Sequence, residues 1–193
     1  YFNFNGNFIL IYGENMKLIE CVPNFSEGKD LSFLNGVKSI IKTNHNVQLL
    51  DIDPGIDTNR TVLTFIGDPK NVIEVAFSLI EYASQCIDMS NHFGKHPRMG
   101  ATDVCPLIPL QNISMKECVE FSIILAKRVG NELNIPIFLY EESSKNTYRK
   151  NLSDIRKGEY EEMQEKIKLE KWKPDYGPNT FNPKSGVTAI GAR

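Results

Sequence analysis

Cysteine is scarce, with four residues in 193, and none of Cys21, Cys86, Cys105 and Cys118 forms a CxxC pair. A disulfide scaffold needs dense cysteine in a short secreted chain, so reduced thiols and a cytoplasmic location are the expectation. Long apolar runs are missing too. None approaches the roughly 18 residues of a membrane span, so no membrane partner is expected. Neither sign of charge is in excess, with 22 Lys plus Arg against 24 Asp plus Glu. A dedicated nucleic-acid binder shows a basic excess or stripe, so nucleic acid is not an expected partner and any anion site must be local. A 41% hydrophobic and 24% charged composition excludes general disorder, and the length suits one domain.

The first fifteen residues, YFNFNGNFILIYGEN, hold no Lys or Arg. Their apolar core FILIY is shorter than a signal-peptide h-region of about 7–15 residues. They are read as a leader, an extension or an artefact of expression, and the domain is taken as residues 16–193.

Lys17–Pro23 reads as a strand. Leu31, Leu34, Val37 and Ile41 recur at the three- and four-residue spacing of a helix face. Val47–Ile52 and Thr61–Ile66 are β-branched strands, separated by turn formers from Asp53 to Arg60. Asp68 followed by Pro69 starts a second helix, and Ser114 with Glu117 forms a capping box that starts a third. Val104–Leu110 reads as a strand that is edge-placed or irregular because of Pro106 and Pro109. Pro136–Tyr140 gives another strand, and a charged helix is expected from Ser153 to about Leu169. The expected fold is α+β: a ferredoxin-like β-α-β-β-α-β core, extended to a mixed sheet with helices on one face.

Two of the three histidines fall in one polar stretch, His92-Phe-Gly-Lys-His96-Pro-Arg98-Met-Gly100-Ala-Thr-Asp103. Acid–base chemistry fits such a loop, as does an ordinary polar surface loop. The i, i+4 spacing of His92 and His96 is that of zinc ligands on a helix, but Gly94 and Pro97 work against a helix and no Glu follows His92, so no metal is expected. Arg60, in Asp57-Thr-Asn-Arg60, suits either a surface ion pair or an anionic ligand. Gly177-Pro178-Asn179-Thr180-Phe181-Asn182-Pro183-Lys184-Ser185-Gly186 suits either an irregular linker or a segment that wraps a ligand. Gly186-Val-Thr-Ala-Ile-Gly191 lacks the Lys-Ser/Thr ending of a phosphate loop.

Three separated runs carry a more specific signal: Cys21-Val-Pro-Asn-Phe-Ser-Glu-Gly28, Asp57-Thr-Asn-Arg-Thr61 and His96-Pro-Arg-Met-Gly-Ala-Thr-Asp-Val-Cys-Pro106. Together with Arg156-Lys-Gly-Glu-Tyr160 and Pro174-Asp-Tyr-Gly-Pro178, in that order, the chain resembles the formiminotransferase domain of glutamate formimidoyltransferases and formiminotransferase–cyclodeaminases. The resemblance runs from Met16 to Arg193 and covers the first of that domain's two subdomains. Phe93 and Lys95 depart from it, standing where the family has a basic and an acidic residue.

The resemblance implies formimidoyl transfer between N5 of tetrahydrofolate, the co-substrate, and the amino group of glutamate, in histidine degradation. It implies that His96 is the catalytic histidine and that Gly177–Gly186 is the folate-binding stretch. Attack on an amidine carbon requires that the leaving nitrogen be protonated, which one imidazole titrating near neutrality can achieve without a metal. Arg60 and Arg98 are candidates for the carboxylates of the folate and glutamate-type ligands. The second subdomain, or a second copy of the chain, is expected to dock on the helix-free sheet face. The alternative is a stand-alone, non-catalytic folate-binding or structural remnant. As an enzyme, the chain requires His96 to face a solvent-reachable cleft.

Overall fold

The computed structural model describes residues 15–193, so all but the last residue of the expected leader lies outside the described residues. The chain forms one mixed seven-stranded sheet with helices, an α+β arrangement. The strands are β1 (Leu18–Cys21), β2 (Asn24–Phe25), β3 (Val47–Gly55), β4 (Arg60–Gly67), β5 (Thr102–Gln111), β6 (Ile137–Glu141) and β7 (Thr188–Ala192). The helices are α1 (Leu31–Lys42), α2 (Pro69–Cys86), α3 (Met115–Glu132), α4 (Leu152–Arg156) and α5 (Glu159–Lys166). Across the sheet the order is β3, β4, then β1 and β2 in line, then β5, β7 and β6. The pairs on the β3 side are antiparallel, while β7 is parallel to both β5 and β6.

Local sequence accounts for most of these elements. Asp30 caps α1 and Asp68 caps α2, each accepting a backbone N–H of the first turn, and Pro69 opens α2 where no donor is needed. Ser114 and Glu117 form both halves of a capping box on α3. In α1 the buried stripe is Phe33, Leu34, Val37 and Ile41, whereas Leu31, expected inside, is 73% exposed.

Of the two forms expected for the strand with Pro106 and Pro109, edge-placed or irregular, the structure shows the irregular one: the strand is interior and its ladder shifts register. The Pro106 carbonyl accepts from Val22 N at 3.2 Å, so the side of Pro106 that lacks a donor faces the point where β1 gives way to β2. The expected charged helix is two helices, because Gly158 takes φ 88° and turns the chain between α4 and α5.

Helices also lie on both faces rather than one. Ile137, Leu139, Cys105, Leu107 and Ile190 join a core with α1, α2 and α3. Their neighbours Phe138, Tyr140, Val104 and Ala189 point the other way and pack with Ile155 of α4 and with Met163 and Ile167 at α5. The helix-free region therefore shrinks to the β3–β4–β1 half of the second face, where a small cluster of Leu18 and Ile66 is flanked by Met16 and Leu50.

Lys166 ties α4 in place. Its ammonium donates to the carbonyls of Asp154, Ile155 and Lys157 at 3.0, 2.6 and 2.8 Å, and sits 4.2 Å from the Trp172 ring centroid. These carbonyls end α4 and have no further helical turn to accept them. Lys166→Ala is expected to speed amide exchange across residues 152–157 and to lower stability by about 1–2 kcal/mol, measured by hydrogen exchange and urea unfolding.

Candidate active site

The site is built around one carboxylate. Asp103, at the start of β5, is fully buried. Its Oδ2 accepts from Arg60 Nη1 at 2.7 Å and Arg156 Nη2 at 2.5 Å, and its Oδ1 accepts from Met99 N at 3.0 Å. Arg60 comes from the start of β4 and Arg156 from the end of α4. Arg60 Nε also donates to Asn24 Oδ1 at 3.1 Å. The carboxylate thus joins β2, β4, β5, α4 and the histidine loop. Burial pulls the Arg60 guanidinium below its usual pKa, and Asp103 opposes that shift.

His96 lies beside this knot, half-buried. Its Nδ1 is 2.7 Å from the Pro97 carbonyl oxygen. A carbonyl only accepts, so Nδ1 carries the proton and Nε2 keeps its lone pair. Burial lowers the His96 pKa below the ordinary imidazole value, and the nearby Arg60 charge lowers it further. The ring is therefore a neutral base at neutral pH.

His96 opens onto a cleft of about 330 Å³ on the sheet face opposite α1, α2 and α3. Asn24, Arg60, Tyr140, Arg156 and Arg193 line it together with apolar residues of β5. Three guanidinium groups outnumber the two carboxylates beside them, Asp103, which is committed to Arg60 and Arg156, and Glu20, whose charge acts on Arg193. Such a cleft suits a small anionic molecule whose amine or amidine nitrogen exchanges a proton with His96. Among the described residues, no three His, Cys, Asp or Glu side chains come together as a metal site would need.

The remaining candidates fall elsewhere. His92 is buried and holds the opposite tautomer: its Nε2 donates to the Asn59 carbonyl at 3.1 Å, and its Nδ1 accepts from Arg98 Nε at 3.3 Å. It pins the histidine loop to the β3–β4 turn. Arg98 is already held by carboxylates, with Glu161 at 2.6 Å and Glu159 at 3.0 Å, and it does not line the His96 cleft. Gly177–Gly186 does not line it either. Gly177, at φ 81°, packs against Gly130 of α3. The end of the stretch supports the histidine loop from behind: Ser185 O accepts from Ala101 N at 2.8 Å, and Gly186 bridges to Gly100. Phe181 stacks at a tilt on Tyr160, and Lys184 Nζ donates to Gln85 O at 2.8 Å.

The structure thus brings His96 and Arg60 together, and it adds Asp103, Arg156, Tyr140 and Arg193, to which sequence alone assigned no role. The family model for the formiminotransferase domain, N-terminal subdomain, matches residues 18–193, and the chain belongs to that family. Its relatives include a formimidoyltransferase-cyclodeaminase from Dictyostelium discoideum, 51% identical over 92% of this chain and 33% of that protein. A glutamate formimidoyltransferase from Streptococcus pyogenes serotype M1 is 49% identical over 92% of this chain and 59% of its own length. One from Thermoplasma acidophilum is 45% identical with the same coverage. The chain therefore spans between a third and three-fifths of these relatives.

Asp103→Ala would leave two guanidinium groups without their counter-charge, one of them buried. It is expected to cost about 3–5 kcal/mol of stability, read by urea unfolding.

Proposed function

We propose that this chain provides the acid–base half of a cytoplasmic glutamate formimidoyltransferase, moving the formimidoyl group between 5-formimidoyl-tetrahydrofolate and L-glutamate in histidine degradation. The observation that carries this reading is the free Nε2 of a neutral His96 on a cleft rich in guanidinium groups. In the reaction, Nε2 takes the proton of the attacking amine and returns it to the departing nitrogen, so one ring serves as base and then as acid. Asp103 keeps Arg60 and Arg156 in place through the cycle, and burial together with the Arg60 charge keeps His96 unprotonated between turnovers.

Tetrahydrofolate supplies N5, the nitrogen that carries the formimidoyl carbon. Gly177–Gly186 is proposed to hold it. Phe181 retains partial exposure beside Tyr160, which offers a ring to a flat heterocycle. Arg60 is the better placed of the two arginine candidates for a substrate carboxylate, since Arg98 is occupied by Glu159 and Glu161. The second subdomain, or a second copy, is proposed to cover the helix-free half-face and close the cleft from water.

In the full transferase, His96→Ala is expected to lower kcat about 10²–10⁴-fold with folate affinity little changed. An unchanged kcat with a raised KM would make His96 a binding residue instead. Because His96 titrates below the free imidazole value, kcat/KM should stay level as pH falls to about 6.5 and drop only below it. A pH–rate profile checks this limb, and a drop starting above pH 7 would contradict it.

A further inference from the structure

Tyr140 stands out in the second-face core. Its side chain is 1% exposed, it lines the His96 cleft, and its hydroxyl has no hydrogen-bond partner among the described residues. A buried hydroxyl left unsatisfied is destabilising and is retained only where something offsets it. Packing does not require it here, since Phe138, two residues earlier on the same face, fills its place with a bare ring against Trp172. The sheet makes room for the Tyr140 ring: a Cβ on Gly191 of β7 would lie 2.8 and 3.0 Å from its Cδ1 and Cε1. Burial also pushes the phenol pKa far above its ordinary value, so the oxygen stays protonated and acts as a donor.

The surrounding charge defines what that donor meets. Arg60, Arg156 and Arg193 line the same cleft, the Asp103 carboxylate is spent on Arg60, Arg156 and Met99 N, and Glu20 offsets part of the Arg193 charge. An unpartnered, neutral O–H donor on a residue that shares a cleft lining with three guanidinium groups is a pattern for an incoming carboxylate, which accepts several hydrogen bonds at once. We propose that Tyr140 is the hydroxyl donor of a carboxylate subsite completed by Arg60, Arg156 and Arg193, and that it binds a carboxylate of the amino-acid substrate. The naming of the amino acid rests on the transferase reading. The carboxylate chemistry does not.

The test is Tyr140→Phe in the full-length protein, which removes one oxygen and keeps the ring. L-glutamate is titrated by calorimetry into both proteins, dimethyl L-glutamate serves as the uncharged probe, and the ligand-free proteins are melted. The subsite predicts that the dissociation constant for L-glutamate rises about ten- to a hundredfold. Dimethyl L-glutamate should bind both proteins alike, and the ligand-free melting temperature should hold or rise by about 2–4 °C. Unchanged L-glutamate affinity, an equal loss for the diester, or a lower melting temperature would each overturn the proposal, the last by showing a structural hydroxyl. Binding and melting are read without turnover. A protein that binds L-glutamate through Tyr140 yet transfers no formimidoyl group would sink the transferase reading and leave the subsite intact.

Discussion

The site depends on burying the Asp103 carboxylate. A bare carboxylate inside a protein is strongly unfavourable, and here it is stabilised by two guanidinium groups and a backbone N–H. Those three donors come from different parts of the chain, so satisfying one charge fixes the relative positions of the β4 start, the end of α4 and the loop that carries His96. The same arrangement sets the chemistry. Burial lowers the His96 pKa, and the charge of Arg60, held by Asp103 and Asn24, lowers it further and helps keep the imidazole neutral. Structural and electrostatic roles are one interaction in this site.

The second sheet face explains why a cleft exists at all. α4 and α5 cover β5, β7 and β6 but leave the β1–β4 side open, so Arg156 reaches Asp103 over the rim of that partial cover. Lys166 holds the carbonyl end of α4 and so maintains that reach. Without α4 and α5 the sheet face would be flat. With a full layer of helices, His96 would be shut in.

Much of the fold is legible in the sequence because its signals are local. Asp68-Pro69 and Ser114 with Glu117 mark helix starts by chemistry that acts within three residues. β7 escapes that logic: apart from Ile190, Thr188–Ala192 consists of small residues, is buried on both faces and shows no alternation, so its place between β5 and β6 is what makes it a strand. Gly158 looks like a helix residue until its left-handed φ breaks the segment. At the site, His96 and Arg60 carry chemical types that draw notice in any sequence. Arg98 carries the same type, yet Glu159 and Glu161, more than sixty residues away, occupy it. Asp103, Arg156 and Tyr140 gain their roles only through contacts across the sheet, which residue spacing does not encode.

The central claim is that the fold holds His96 as a neutral base with Nδ1–H given to Pro97 and Nε2 free. A ¹⁵N NMR titration of the histidine side chains, with His96 assigned by substitution, tests it directly. The account predicts a protonated Nδ1 and an unprotonated Nε2 at pH 7–8, with titration below the free imidazole value of about 6.5. A proton on Nε2, or a titration at or above that value, would contradict it.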